Sequence, residues 1–76
     1  MIEVRLFATL VPRSRRGERR FEVEAASGLT VRDVVCREQL DPADIHIVMR
    51  NGSHAKMDSE LEDGDRIGLF PPVGGG

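Results

Sequence analysis

Apolar and polar positions alternate from the second residue onward. Ile2, Val4, Leu6 and Ala8 are interleaved with Glu3, Arg5 and Phe7. A period of two is the signature of a strand with one buried face. By parity it sends Phe7 away from the core, and Pro12 ends the run. Phe21 and Val23 alternate with Glu22 and Glu24, which predicts a second strand and a short antiparallel hairpin with the first. The period then changes. Val31, Val34 and Val35 form a stripe at helical spacing. Thr30 ahead of it and Asp33 three residues on predict a capping box. Glu38 falls where the stripe would continue, so the helix is short or its last turn is exposed, and Pro42 is the expected stop.

Alternation resumes at Ile45, Ile47 and Met49, with His46, Val48 and Arg50 on the other parity. Asn51-Gly52 follows, a two-residue hairpin signal. It sets Arg50 opposite Ser53 and Met49 opposite His54, with a return strand expected over His54 to Met57. Leu61 is a lone apolar residue in an acidic stretch and reads as a core plug; Asp63-Gly64-Asp65 reads as a tight turn. In the last strand, Ile67 and Leu69 face in, and Gly68 and Phe70 face out. Two strands, one helix and three further strands make an α+β domain, expected over residues 1–70, with a mixed sheet of four to five strands and the helix on one face.

Composition narrows the function. The chain has 76 residues, 11 Lys+Arg against 13 Asp+Glu and a net charge of -2, which argues against a nucleic-acid binder. The basic run from Arg13 to Arg20 has no interleaved aromatics and reads as a solvated hairpin loop. One cysteine excludes an internal disulfide and suits a reducing cytoplasm. Cys36 lies off the helical stripe and is expected to be a partly buried, inert thiol. His46 and His54 fall on opposite faces and cannot share a metal. The alternating, charged start lacks the apolar run of a signal peptide, and no stretch is long enough to span a bilayer. The acidic stretch lacks calcium-loop spacing. There is no phosphate-binding glycine loop followed by Lys and Ser/Thr, and no catalytic dyad.

The remaining feature is the end, Leu69-Phe70-Pro71-Pro72-Val73-Gly74-Gly75-Gly76. Two prolines favour an extended path away from the sheet. Residues 71–76 are expected to form a tail that reaches roughly 20 Å at full extension. Glycines carry no side chain, so such a tail enters a channel too narrow for other residues. Its α-carboxylate would be ionised and sterically bare.

Val4-Arg5-Leu6-Phe7-Ala8, then Leu61 with Asp63-Gly64-Asp65, then Phe70-Pro71-Pro72-Val73 followed by one residue and Gly75-Gly76 resemble the ubiquitin-like sulfur carriers of the MoaD/ThiS type. The resemblance is greatest to the small subunit of molybdopterin synthase. It implies a β-grasp fold with sheet order second, first, fifth, third, fourth strand. It implies that the chain is not an enzyme and binds no cofactor. A ubiquitin-activating-type adenylyltransferase, using ATP and magnesium, would adenylate Gly76. A sulfur donor would then leave a thiocarboxylate there, and a larger synthase subunit would receive the sulfur. Gly75, Gly74 and Val73 would thread into the partner. With that strand order, Phe7, Val48 and Phe70 would cluster on the face away from the helix, fringed by Arg5, Arg50 and Arg66, as a partner surface. Carriers for thiamine, cysteine or tungsten-enzyme cofactor biosynthesis, a protein modifier joined through Gly76, and a ubiquitin-like module with an inert tail are the alternatives.

Overall fold

The computed structural model describes residues 1–72; the expectations for Val73, Gly74, Gly75 and Gly76 lie outside the described residues. Strand β1 (Ile2–Leu6) lies second in a five-stranded sheet of order β2-β1-β5-β3-β4, beside the central strand. Its neighbours are β2 (Arg20–Val23), antiparallel, and β5 (Arg66–Phe70), parallel. On the other side of β5 runs β3 (Ile47–Arg50), antiparallel, followed by the short edge strand β4 (Ser53–His54). The mixed sheet and the sheet order match the expectation. The return strand is shorter than expected and ends at His54, after which the chain turns.

The alternating residues of the central strands meet on one face. Ile2, Val4, Leu6, Ile67 and Leu69 are fully or almost fully buried, with Phe21 beside them. Helix α2 (Val31–Arg37) covers this face through Val31, Val34 and Val35, all at zero exposure. Its start is held by the capping box: the Asp33 N–H donates to the Thr30 hydroxyl, and the Thr30 N–H donates to the Asp33 carboxylate. The bond from the Thr30 N–H to the carboxylate is the largest cause of the lowered Asp33 pKa, and the Thr30 side chain adds to it. Leu29 and Leu61 close one end of the core, and Leu10 and Leu40 add to it.

Four local expectations are corrected. The first run stops at Leu6; Ala8 adopts a positive φ of 52°, and a one-turn helix α1 (Leu10–Arg13) follows and includes Pro12. Leu10 is thereby folded into the core. Second, α2 ends well before Pro42. Gln39 takes a left-handed φ of 59°, its N–H donates to the Cys36 carbonyl, and the Leu40 N–H donates to the Val35 carbonyl. This is a Schellman turn, and Leu40 supplies its apolar contact. Pro42 instead opens a 3-10 turn (Pro42–Asp44).

The third concerns the basic loop. The helix is short, as expected, and Glu38 just beyond its last residue is only 2% exposed. Arg16 Nε donates to both of its carboxylate oxygens at 3.2 Å, and an Arg15 nitrogen lies 3.6 Å from one of them. The Arg16 guanidinium also sits 4.1 Å from the centre of the Phe21 ring. Part of the basic loop is therefore a clamp, tied to the helix end, rather than a solvated turn. Cys36 is exposed, not partly buried, on the outer side of the same helix.

Candidate functional site

The sheet face opposite α2 has no helix over it among the described residues, so its side chains form surface. Pairing decides which residues share it. Arg5 is beside Gly68 and Glu3 beside Arg66 in the parallel β1–β5 ladder. Across the other ladder Gly68 faces Met49, and Phe70 faces Ile47. Phe7 continues the outward parity of β1, and its N–H donates to the Leu69 carbonyl at 3.2 Å. This places its ring against that of Phe70. The two stack with centroids 4.2 Å apart and planes 8° from parallel. Phe7 is 37% exposed.

Two expected members of this face are elsewhere. Val48 pairs with Leu69 and is 6% exposed, so it belongs to the core. Arg50 pairs with Ile67 and shares that inward parity. Its Nε donates to Asp65 at 2.8 Å. The phase of β3 is the reverse of the one read from the sequence. Ile45, Ile47 and Val48 place apolar residues on both parities, and the Asn51-Gly52 turn fixes pairing without fixing which side is buried. Ile47 and Met49 therefore occupy the outer face, and the sequence reading missed them there. Their signal would have been the register against β5, which sequence spacing does not contain. The turn itself is as expected: Met49 opposes His54, and both central residues have positive φ, 52° at Asn51 and 85° at Gly52.

The outer face is charged on the β1–β2 side. Arg5 Nε donates to Glu3 at 2.6 Å, and an Arg20 nitrogen donates to the same carboxylate at 3.1 Å. The Arg5 bond is the main reason that the Glu3 pKa is lowered. Arg66 is exposed at the far end of β5. Two shallow hollows flank the aromatic pair. The larger, about 630 Å³, lies toward Val11, Pro12, Arg19 and Arg20; the smaller, about 190 Å³, lies over Gly68 toward Met49 and Arg66. Arg5 and Phe7 border both.

The start of β5 is anchored by a residue the sequence reading took only as part of a turn. Asp65 is 7% exposed. One of its oxygens accepts from the Glu62 N–H and from Arg50, each at 2.8 Å; the other accepts from Asn51 Nδ2 at 2.9 Å. The Asn51 side-chain oxygen accepts from the Arg66 N–H. The bond from Glu62 is the largest cause of the lowered Asp65 pKa, with Asn51 and Arg50 adding to it. The end of β5 is held as well, since the His46 N–H donates to the Phe70 carbonyl at 2.7 Å. Pro71 is half-buried and Pro72 exposed, directly beyond the aromatic pair.

A five-stranded mixed sheet in this order, with one main helix across one face, is the β-grasp of ubiquitin-like proteins. The ThiS family profile matches residues 4–76, and the chain belongs to that family of ubiquitin-like sulfur carriers. No curated protein sequence matches at a significant level. Among solved structures, Haloferax volcanii SAMP1, a small archaeal modifier protein, is similar at 30% identity and a TM-score of 0.74, covering 99% of this chain and 98% of that one. A candidate molybdopterin converting factor subunit 1 from Pyrococcus furiosus is also 30% identical, with a TM-score of 0.69 and coverage of 95% and 97%. Helicobacter pylori molybdopterin-converting factor, solved as a complex of subunits 1 and 2, matches at 25% identity, TM-score 0.62 and coverage of 99% and 97%. No described helix is long and apolar enough to cross a membrane.

Proposed function

We propose that this chain carries sulfur on its C-terminal glycine for molybdopterin assembly and is a co-substrate, not a catalyst. The observation that carries the reading is the stacked Phe7–Phe70 pair on the helix-free face, immediately before Pro71-Pro72. A partner seated there holds the sequence Val73-Gly74-Gly75-Gly76 within reach of its own site. The likeness to molybdopterin converting factor subunit 1, one example of which was solved with its subunit 2, supports the choice of pathway and a larger synthase subunit as one partner.

The chemistry requires an activated carboxylate. A Gly76 oxygen attacks the α-phosphorus of ATP, the bond to pyrophosphate breaks, and an acyl adenylate forms. Magnesium and ATP are held by the adenylyltransferase. A hydrosulfide equivalent from the sulfur donor then adds at the acyl carbon. AMP leaves with the former carboxylate oxygen, a proton is released, and a thiocarboxylate remains. Gly75, Gly74 and Val73 provide the narrow approach that this site needs. Such chemistry belongs in the cytoplasm, where the one thiol of this chain stays reduced.

Intact mass tests the proposal. The chain is incubated with ATP, magnesium, a sulfur source and the adenylyltransferase of its own organism. A gain equal to exchange of one oxygen for sulfur is expected, absent after deletion of Gly76. No gain with a demonstrably active enzyme overturns it. The equal identity to SAMP1 supports a second reading, conjugation of Gly76 to lysines of other proteins. Isopeptide-linked Gly76 in cell extract decides for that reading.

A further inference from the structure

Among the described residues Gly68 is the one glycine within a strand, and it lies beneath the aromatic pair. Its ladder neighbours on the outer face are Arg5 and Met49. A Cβ added to it would lie 3.4 Å from the edge of the Phe7 ring and 3.4 Å from the edge of the Phe70 ring. Both rings therefore close over bare backbone. The φ at Gly68 is not left-handed, so the backbone does not require glycine here. Intrinsic strand preference opposes glycine at this site, since it adds chain entropy to the unfolded state and has no side chain to pack. What glycine contributes is the space beneath the rings.

We infer that Gly68 is a positioning residue for docking of the adenylyltransferase: it seats the Phe7–Phe70 pair low on the sheet and so sets the height and shape of the surface that an apolar face of that enzyme meets. This inference rests on the docking-face reading given above. Alanine would just touch both rings, so the pair shifts little. Valine adds two methyls in the space the ring edges occupy, and the rings must lift or part. Those rings are at the surface and can move without disturbing the core, so the fold tolerates the change. A β-branched residue in a strand also favours folding. Stability and affinity then move in opposite directions, which a merely structural glycine does not produce.

The test compares wild type with Gly68→Ala and Gly68→Val, titrated with the purified adenylyltransferase, alongside thermal unfolding and the NMR shifts of the Phe7 and Phe70 ring protons. Gly68→Val is expected to unfold at or above the wild-type temperature, to move the ring resonances, and to bind about tenfold more weakly or worse, with Gly68→Ala intermediate. Unchanged affinity for Gly68→Val overturns the inference. Lost affinity with unmoved ring signals also overturns it, because the valine would then be blocking the neighbouring hollow. Phe7→Ala and Phe70→Ala separate the levels. If they weaken binding and Gly68→Val does not, only the role of Gly68 fails. If they leave binding unchanged, the docking-face reading fails with it.

Discussion

Replacing Asp65 by Asn isolates one charge inside the turn that launches β5. The shape is conserved, and one carboxylate oxygen becomes an NH₂. The carboxylate accepts from three donors: the Glu62 N–H, Arg50 Nε and Asn51 Nδ2. In either amide orientation the NH₂ group points at a donor, and Arg50 loses its counter-charge. A hydrogen bond to a charged group contributes roughly 1.5–3 kcal/mol. Arg50 has 31% of its side chain exposed, so water recovers part of that. A net loss of about 2 kcal/mol is expected, which is roughly 8–16 °C in a domain of this size. The pH dependence has a definite sign. The folded pKa of Asp65 lies below its ordinary value, so its stabilisation is fully present above the unfolded pKa of about 4 and is lost as pH falls through the folded value. Thermal unfolding followed by circular dichroism at pH 7 and at about pH 3 should give a wide gap between wild type and variant at neutral pH that narrows in acid. A loss under about 2 °C at pH 7, or a gap that persists in acid, refutes the assignment.

Other substitutions probe the two faces and the clamp. Phe7→Ala or Phe70→Ala removes a stacked contact and should lower stability by only about 0.5–1.5 kcal/mol while weakening the adenylyltransferase complex about tenfold, measured by calorimetry. Val48→Lys and Met49→Lys differ by one position and face opposite ways: the first should cost roughly 3 kcal/mol or more in urea unfolding, the second under about 1, and equal losses would contradict the strand phase. Glu38→Ala removes the buried carboxylate beneath Arg16 and should cost about 2 kcal/mol, and a double-mutant cycle with Arg16→Ala should show coupling between them.

Periodicity made most of the architecture legible. The alternation in β1 and β5, the valine stripe, the Thr30–Asp33 cap and the Asn51-Gly52 turn are local signals, and each element they predict is present. The resemblance supplied the strand order, from which the contact of Phe7 with Phe70 followed. What stayed hidden depends on long-range pairing. Val48 and Met49 are both apolar, so only the ladder with β5 shows which is buried. Glu38 reads as a solvent residue until Arg16, 22 positions away in sequence, arrives to neutralise it. Asp65 reads as turn chemistry, yet it joins residues 15, 14 and 3 positions away. The tight turn and the buried polar hub inside it are the same residues seen at two distances.

The position of β5 has a mechanical consequence. A partner that draws in the segment beyond Pro72 pulls along this strand. β5 is bonded along its length to β1 on one side and β3 on the other. A pull along its axis loads both ladders in shear, so several bonds must yield together, whereas an edge strand could be peeled away one bond at a time. The sheet thus grips the chain on both sides immediately before the segment that such a partner would draw in, like a handle riveted on both sides.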